Sequence, residues 1–152
     1  MNPVRNIEAP RITAKVREMF LRANTCLGGD VEDALRRARD GEETELGRQV
    51  LERILENAAV ARNERLPICQ DTGLAVVFVE LGQDVRVVGG ALREAVEEGV
   101  RQAYREGYFR KSVCDPLSRA NTGDNTPAVI HLDVVPGDAI RLTAMPKGGG
   151  SE

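Results

Sequence analysis

Residues 67–73, with the sequence PICQDTG, bring together a thiol, an amide, a carboxylate and a hydroxyl. A loop that only turned the chain would use Gly, Asn, Asp or Ser and would rarely contain a cysteine. An apolar run of strand length, residues 74–79, follows directly. Rigid scaffolds commonly hold reactive groups in such a loop beside a buried strand. We therefore interpret residues 67–73 as the active-site loop.

Two further polar segments also lie next to predicted strands. Residues 107–127 form a long irregular stretch that contains Arg110, Lys111 and Arg119, and loops of this length in a compact domain are usually functional or disordered. Lys147 precedes three consecutive glycines, whose backbone N–H groups can face an anion. Cations, N–H groups and Asp71 together would suit a small dicarboxylate.

The elements that must position these segments are predicted from periodicity and turn residues. We expect an α+β fold in a single domain, 1–152, with an N-terminal helical layer (1–65) packed on a small mixed or antiparallel sheet within residues 66–152. The predicted helices are 11–23, 30–38 with Asp30 as N-cap, 43–63, and one from the glycines at 89–90 to Tyr104. The predicted strands are 74–81, covered on both faces, its short return strand 85–88, and a hairpin of 128–135 with 139–145.

Composition and charge exclude several classes of function. The net charge is −3 and the arginines are dispersed among glutamates, which argues against nucleic acid as a partner. No apolar stretch has the length of a membrane span, and the N-terminus lacks a signal-peptide pattern, so a cytoplasmic location is expected. The three cysteines are widely spaced and match neither a disulfide framework nor a zinc motif.

Three motifs occur in order: ICQDTG at 68–73, NTGDNTPA at 121–128 and KGGGSE at 147–152. They resemble the iron–sulfur (class I) fumarate hydratases and the related L(+)-tartrate dehydratases, in the N-terminal part of the alpha subunit. The resemblance implies reversible hydration of fumarate to malate, a step of the tricarboxylic acid cycle. It also implies a 4Fe–4S cluster held by three cysteines, with the remaining iron acting as a Lewis acid.

The resemblance implies a role for each matched residue. Cys69 corresponds to the first cluster ligand, and a thiolate is what iron–sulfur clusters require. Gln70 and Asp71 correspond to the pair that contacts the substrate, with Asp71 the catalytic group touching its hydroxyl. Arg110 corresponds to an arginine that binds a substrate carboxylate, for which a planar bidentate donor is suited. Gly150 corresponds to a glycine whose backbone N–H meets the substrate.

The resemblance leaves parts of the family pattern outside this sequence. The other two cluster cysteines and further substrate-binding and proton-transfer groups are expected later in the alpha subunit and in the C-terminal domain or beta subunit. We therefore expect a fragment of the enzyme, inactive alone and acting in a homo-oligomer with that partner. Arg119 is the next candidate for the carboxylate contact.

Three alternatives stay open at this point. The chain could belong to an L(+)-tartrate dehydratase alpha subunit, or it could serve only as a folding and assembly module. A zinc or thiol enzyme using Cys69 alone would lack neighbouring histidines or a second cysteine at ligand spacing. Cys26, Cys114 and His131 are interpreted as structural. Asp124 and Asn125 are interpreted as turn-capping residues.

Overall fold

The computed structural model describes residues 4–150 and contains helices and two small sheets, which confirms the predicted α+β class. No helix in this range is long and apolar enough to cross a membrane. The elements are β1 (Arg5–Glu8), α1 (Ala9–Thr25), α2 (Gly29–Gly41), α3 (Glu45–Glu64), β2 (Leu74–Gly82), β3 (Val85–Val88), α4 (Leu92–Glu106), β4 (Val129–Val135) and β5 (Ile140–Lys147).

The main sheet has β2 at its centre, with β4 parallel on one side and β5 antiparallel on the other. The predicted hairpin of β4 with β5 is therefore wrong. Their connection passes over the end of β2, where the amide of Gly82 donates to the Ala139 carbonyl at 2.8 Å and that of Gln83 to the Val135 carbonyl at 2.8 Å. Alternating apolar residues predict that a strand exists but not which strand it pairs with.

Helices α1 and α4 pack on each other, and their apolar sides form the core with the sheet. The ring centroids of Phe20 in α1 and Tyr104 in α4 lie 6.1 Å apart, and both side chains are fully buried. The expectation that β2 is covered on both faces is wrong, because Leu74 and Phe78 are about two-fifths exposed at 41% and 42%. His131 of β4 stacks on Phe78 with a centroid distance of 4.8 Å.

The three helices of the first 65 residues pack on different partners. Helix α3 packs mainly on α2 and only marginally on α1, and α2 buries no residue. The N-cap of α2 is Gly28, which makes no side-chain hydrogen bond. The prediction of Asp30 as the N-cap is therefore wrong, because Asp30 lies in the first turn of the helix. In α3, by contrast, the hydroxyl of Thr44 accepts from the amide of Gly47 at 3.1 Å.

The second sheet pairs β1 with β3 in parallel, with Asn6 opposite Arg86. Strand β1 was not predicted, because its sequence RNIE has one apolar residue and therefore no detectable period. Strand β3 was predicted, but as a return strand paired with β2, and that pairing is wrong. Although a tight turn joins β3 to β2, β3 forms its hydrogen bonds with β1 and belongs to a different sheet from β2. The assignment of residues 1–152 to a single domain stays a prediction.

Candidate active site

The first and third polar segments meet because β2 and β5 are antiparallel neighbours. Leu74, the first residue of β2, lies opposite Lys147, the last residue of β5. The loop that precedes β2 and the glycines that follow β5 therefore emerge at the same edge of the sheet. Antiparallel pairing alone is enough to bring these two motifs together although more than 70 residues separate them in the chain.

Gly73 allows these segments to cross closely. Its φ is +59°, and a Cβ built on it would lie 1.9 Å from the carbonyl oxygen of Lys147 and 2.4 Å from the amide nitrogen of Gly148. Real side chains do not tolerate such distances to backbone atoms, and the positive φ itself favours glycine. The glycine that ends the ICQDTG motif is thus required by the packing of the loop on the end of β5.

The carboxylate of Asp71 fastens the two segments. Its Oδ2 accepts from the amide of Gly149 at 2.7 Å, and its Oδ1 accepts from the amide of Gly73 at 3.2 Å. Asp71 is therefore held in a defined orientation where the two segments cross.

The 107–127 loop is tied to the first segment by buried polar groups. The Thr72 hydroxyl donates to the Arg110 carbonyl at 2.7 Å, and the Tyr104 hydroxyl donates to the Thr72 carbonyl at 2.7 Å. Asn125 donates from Nδ2 to the Gly73 carbonyl at 3.1 Å. Thr72, Tyr104 and Asn125 are all buried. These side chain to backbone bonds join the loop to the first segment. An isolated β-bridge between Cys114 and Asn121 and backbone bonds such as that from the Thr122 amide to the Val113 carbonyl order it internally.

Burial and hydrogen bonding control the ionisation of groups beneath the site. Desolvation raises the pKa of Tyr104 to about 12, against a weak opposing hydrogen bond with Asn24, and the negative charge of Asp71 adds to the rise. Burial also acts against ionisation of Asp124, but hydrogen bonds from Thr126 outweigh it and hold the pKa of Asp124 below its ordinary value. Tyr104 is therefore a neutral donor and Asp124 an anion near neutral pH.

A cavity of about 410 Å³ opens where the three segments meet. It is lined by the guanidinium-bearing Arg110, two lysines, one carboxylate and the backbone of three glycines. The lining residues are Asp71, Gly73, Leu74, Arg110, Lys111, Ser112, Cys114, Asn121, Lys147, Gly148 and Gly149. Its polar composition, with positive charge in excess, matches a small anion that also carries a hydroxyl.

The predicted site residues occupy different places relative to this cavity. Asp71 and Arg110 line it, whereas Cys69 and Gln70 are exposed on the loop immediately before Asp71. Gly150 follows the lining glycines at the end of the described chain, and a Cβ built on it would have no atom within 4 Å beyond its chain neighbours. Arg119 is exposed and is not a lining residue. The roles assigned to these residues stay predictions.

Sequence reasoning missed four residues that the structure places at or beneath the cavity: Ser112, Cys114, Asn121 and Asn125. Cys114 and Asn121 form a bridge across the loop, so both face the same opening. For Asn121 and Asn125 the available signal is the polar density of the NTGDNTPA motif, whereas Ser112 and Cys114 lie outside that motif. The motif is part of the family resemblance, but Asp124 and Asn125 within it are interpreted from the sequence as turn-capping residues, because Asn and Asp are also common turn residues.

Cys69 has the surroundings expected of one iron–sulfur ligand. Its thiol is exposed, and Sγ accepts from the amide of Asp71 at 3.5 Å, the kind of hydrogen bond that tunes cluster sulfurs. Among residues 4–150, no group of three His, Cys, Asp or Glu side chains could hold a metal ion. Cys69 therefore fits as a single ligand, and this part of the chain does not provide a complete ligand set.

Comparisons with known proteins agree with the three motifs. The profile of the fumarate hydratase (fumerase) family matches residues 13–152. A putative L(+)-tartrate dehydratase subunit alpha from Methanocaldococcus jannaschii is 35% identical over 148 aligned residues, covering 93% of this chain and 52% of the relative. The aerobic class I fumarate hydratase of Escherichia coli K12 is 40% identical over 116 residues, covering 74% of this chain and 21% of the relative.

The L(+)-tartrate dehydratase subunit alpha of Escherichia coli UTI89 is 27% identical over 144 residues, covering 92% of this chain and 47% of the relative. The chain thus spans about half the length of the alpha-subunit relatives and about a fifth of the fumarate hydratase from Escherichia coli K12. The family match covers nearly all of the sequence, including the three polar segments that meet at the cavity. The family predicted from the motifs is confirmed, and the chain belongs to the fumarate hydratase family.

Proposed function

We propose that this chain forms one wall of a hydro-lyase site that hydrates fumarate to malate reversibly. The observation that carries the proposal is the cavity in which an oriented Asp71 lies among Arg110, Lys111 and Lys147. A C4 dicarboxylate has two anionic ends and, as malate, one hydroxyl. Cations and an acceptor in one cavity are complementary to that pattern.

The chain's own residues bind and orient the substrate. Arg110 binds one carboxylate through its planar fork, and the backbone N–H groups at the end of β5, including that of Gly150, approach the other polar groups. Gln70 and Asp71 contact the substrate, and Asp71 accepts the hydrogen of its hydroxyl. Hydration adds hydroxyl to one alkene carbon and hydrogen to the other. The group that transfers the carbon-bound proton is assigned to the remainder of the enzyme.

Cys69 would supply one of the three thiolates that hold a 4Fe–4S cluster, which when bound would act as a Lewis acid toward the substrate hydroxyl and carboxylate. The other two thiolates would come from further along the alpha subunit. The proposal includes a beta subunit or C-terminal domain as the opposite wall of the site, a homo-oligomer and a cytoplasmic location. The 152-residue chain by itself is expected to be colourless and inactive, because one thiolate cannot hold the cluster.

L(+)-tartrate is the alternative substrate, and a specific observation favours it. The Methanocaldococcus jannaschii relative, whose name refers to tartrate dehydratase, matches 93% of the chain, whereas the Escherichia coli K12 fumarate hydratase matches 74%. Malate and tartrate differ by one hydroxyl. The residue that recognises that hydroxyl decides between the two substrates, and it is expected on the opposite wall.

The test uses the full-length protein with its partner, prepared anaerobically. Fumarate hydration and L(+)-tartrate dehydration are assayed side by side, and iron per chain is measured for wild type, Cys69→Ser and Cys26→Ser. We expect Cys69→Ser to lose iron and activity together while it stays folded, and Cys26→Ser to keep both. Full iron in Cys69→Ser would refute the ligand assignment. Turnover of neither substrate by iron-loaded wild type would refute the proposed function.

A further inference from the structure

Asn125 is fully buried within the 107–127 loop and adopts a φ of +65°. Its Oδ1 accepts from the amides of Ser112 at 2.7 Å and Val113 at 3.2 Å. Its Nδ2 donates to the carbonyl of Gly73 at 3.1 Å. One side chain thus bonds to three backbone groups on two separate segments of the site.

Only an amide of this length satisfies the arrangement. The acceptor must serve two N–H groups while a donor on the same planar group serves a carbonyl. Aspartate offers no donor when ionised, and leucine offers neither function at similar volume. Because the site is buried, each backbone group left without its partner would be destabilised.

The turn itself does not need the Asn125 side chain. The neighbouring Asp124 closes it, since its Oδ1 accepts from the amide of Thr126 at 2.9 Å and from the hydroxyl of that residue at 2.7 Å. The interpretation of Asn125 as a turn-capping residue is therefore incomplete. Its side chain is directed away from the local turn and toward the junction of the two segments.

The junction lies between the two groups that meet the ligand. Gly73 is two residues after Asp71, and Ser112 is two residues after Arg110. A bond from Asn125 to each side therefore ties the backbone next to Arg110 to the backbone next to Asp71. The Thr72 hydroxyl, which donates to the Arg110 carbonyl at 2.7 Å, is a second tie across the same junction.

We propose that Asn125 is a positioning residue for dicarboxylate binding: it holds the Arg110 segment in register with the Asp71 loop and does not touch the substrate. This inference rests on the proposed function, because it takes the cavity to be the dicarboxylate site. Loss of the tie leaves both charged groups present but no longer at a separation that one small ligand can bridge.

The experiment measures binding of succinate, an unreactive C4 dicarboxylate, to the full-length protein with its partner by calorimetry. The variants are Asn125→Ala, Arg110→Ala and the double substitution, compared at a temperature at which all are folded. We expect each single variant to weaken binding about tenfold or more. The double variant should be scarcely weaker than Arg110→Ala, because Asn125 acts through the placement of that arginine.

Val100→Ala is the matched stability control. Val100 is fully buried in α4, away from the cavity, so its truncation should lower the unfolding temperature without changing succinate affinity. If Asn125→Ala behaves like Val100→Ala, or if its effect adds fully to that of Arg110→Ala, the positioning role is wrong. In catalysis, the positioning role predicts a raised KM for Asn125→Ala with a smaller change in kcat.

A milder variant keeps the proposal testable if Asn125→Ala does not fold. Thr72→Val removes the second tie across the same junction with little change in shape. It should weaken succinate binding, and wild-type affinity in Thr72→Val would overturn the proposal. Failure of the proposed function is distinguishable: wild type would not bind succinate, or Arg110→Ala would bind it normally.

Discussion

In the α2–α3 pair, charged side chains bond to other charged side chains, either within four residues of each other or, as Arg62 with Glu32, on the facing helix, whereas around the cavity polar side chains bond to distant backbone. On α3, Arg48 pairs with Glu45 at 3.1 Å, three residues away and exposed. At the site, Asp71 reaches the amide of Gly149, 78 residues away, and Asn125 reaches the carbonyl of Gly73, 52 residues away.

The two kinds of polar contact differ in what their loss does. Exposed ion pairs are screened by water and salt, and many contribute little to stability. A buried side chain to backbone bond that joins remote segments leaves an unsatisfied partner and frees a loop when it is removed. The comparison teaches that polar residues order the loops of the site in this chain. On the α2–α3 surface, by contrast, polar residues mainly interact with solvent.

The largest effect is expected from Gly73→Ala, which attacks the crossing of the two site segments. The new Cβ would lie 1.9 Å from the Lys147 carbonyl oxygen at a φ of +59°, so the loop must move away from the end of β5. Overpacking and the left-handed backbone together should lower the free energy of unfolding by roughly 2–5 kcal/mol. Chemical denaturation of the full-length protein measures this.

Gly123→Ala is the matched control for Gly73→Ala. Gly123 also has a positive φ, +80°, but no atom lies within 4 Å of a Cβ built there. It should cost only the backbone strain, roughly 1–2 kcal/mol. Equal losses in the two variants would show that the crossing is not tightly packed and would weaken the contrast between site and surface.

The next effect is expected from Arg110→Lys. Lysine keeps the charge but replaces a planar fork with a point charge, and losing a charge-assisted hydrogen bond costs roughly 1.5–3 kcal/mol. The apparent substrate constant of the complete enzyme should therefore rise by about one to two orders of magnitude. Arg48→Lys on α3, an exposed arginine remote from the cavity, is the control and should leave kinetics unchanged. Wild-type kinetics in Arg110→Lys would move the carboxylate contact elsewhere, with Arg119 the next candidate.

Much of the local structure could be predicted from the sequence, because helical period and apolar runs determine it. The four long helices and the strands β2 to β5 were placed within a few residues. Strand pairing could not be predicted, since the turn at residues 136–138 is compatible with a hairpin and equally with a connection across β2. The packing of α3 on α2, away from the sheet, likewise depends on tertiary contacts that periodicity does not contain.

The segments that form the candidate site were predictable from the sequence, but the hydrogen bonds that join these segments were not. The residue types of Asp71 and Arg110 indicate binding chemistry, and antiparallel pairing of β2 with β5 explains why two of the motifs meet. The buried role of Asn125 was not predictable, because an asparagine in a turn-rich segment has the same sequence signature whether its side chain caps the turn or bridges two loops.

A smaller, pH-dependent effect is expected at Tyr104, below the site. Burial raises its pKa to about 12 from 10.0, so the neutral form is favoured in the folded protein. The resulting stabilisation is fully present well below pH 10 and is lost as the pH rises to about 12, by about 1.4 kcal/mol at pH 11. The free energy of unfolding of Tyr104→Phe should not show this part of the decline at alkaline pH. The variant does lose the hydrogen bond to the Thr72 carbonyl at every pH.

Unfolding by denaturant at pH 8 and pH 11 measures the Tyr104 effect as the difference between wild type and Tyr104→Phe. Tyr108→Phe is the matched control, because that side chain is 91% exposed, and it should follow the wild-type curve. A Tyr104→Phe curve parallel to wild type across this range would show that the hydroxyl is hydrated. Water would then reach the Tyr104 hydroxyl, and the loop above it would be more open to solvent than its buried hydrogen bonds indicate.

The smallest effect is expected from Ser112→Ala, which tests the contrast from within the site. Ser112 Oγ is buried and has no hydrogen-bond partner in the described part of the chain, whereas the Ser118 hydroxyl donates to Asp115 Oδ1 at 2.9 Å. Removing an unpartnered buried hydroxyl should leave the free energy of unfolding unchanged or raise it by up to about 1 kcal/mol. Ser118→Ala, in the same loop, should lower the unfolding temperature. If Ser112→Ala is the more destabilising of the two, the Ser112 hydroxyl forms a hydrogen bond in solution. Ser112 would then belong to the buried hydrogen bonds that order the site.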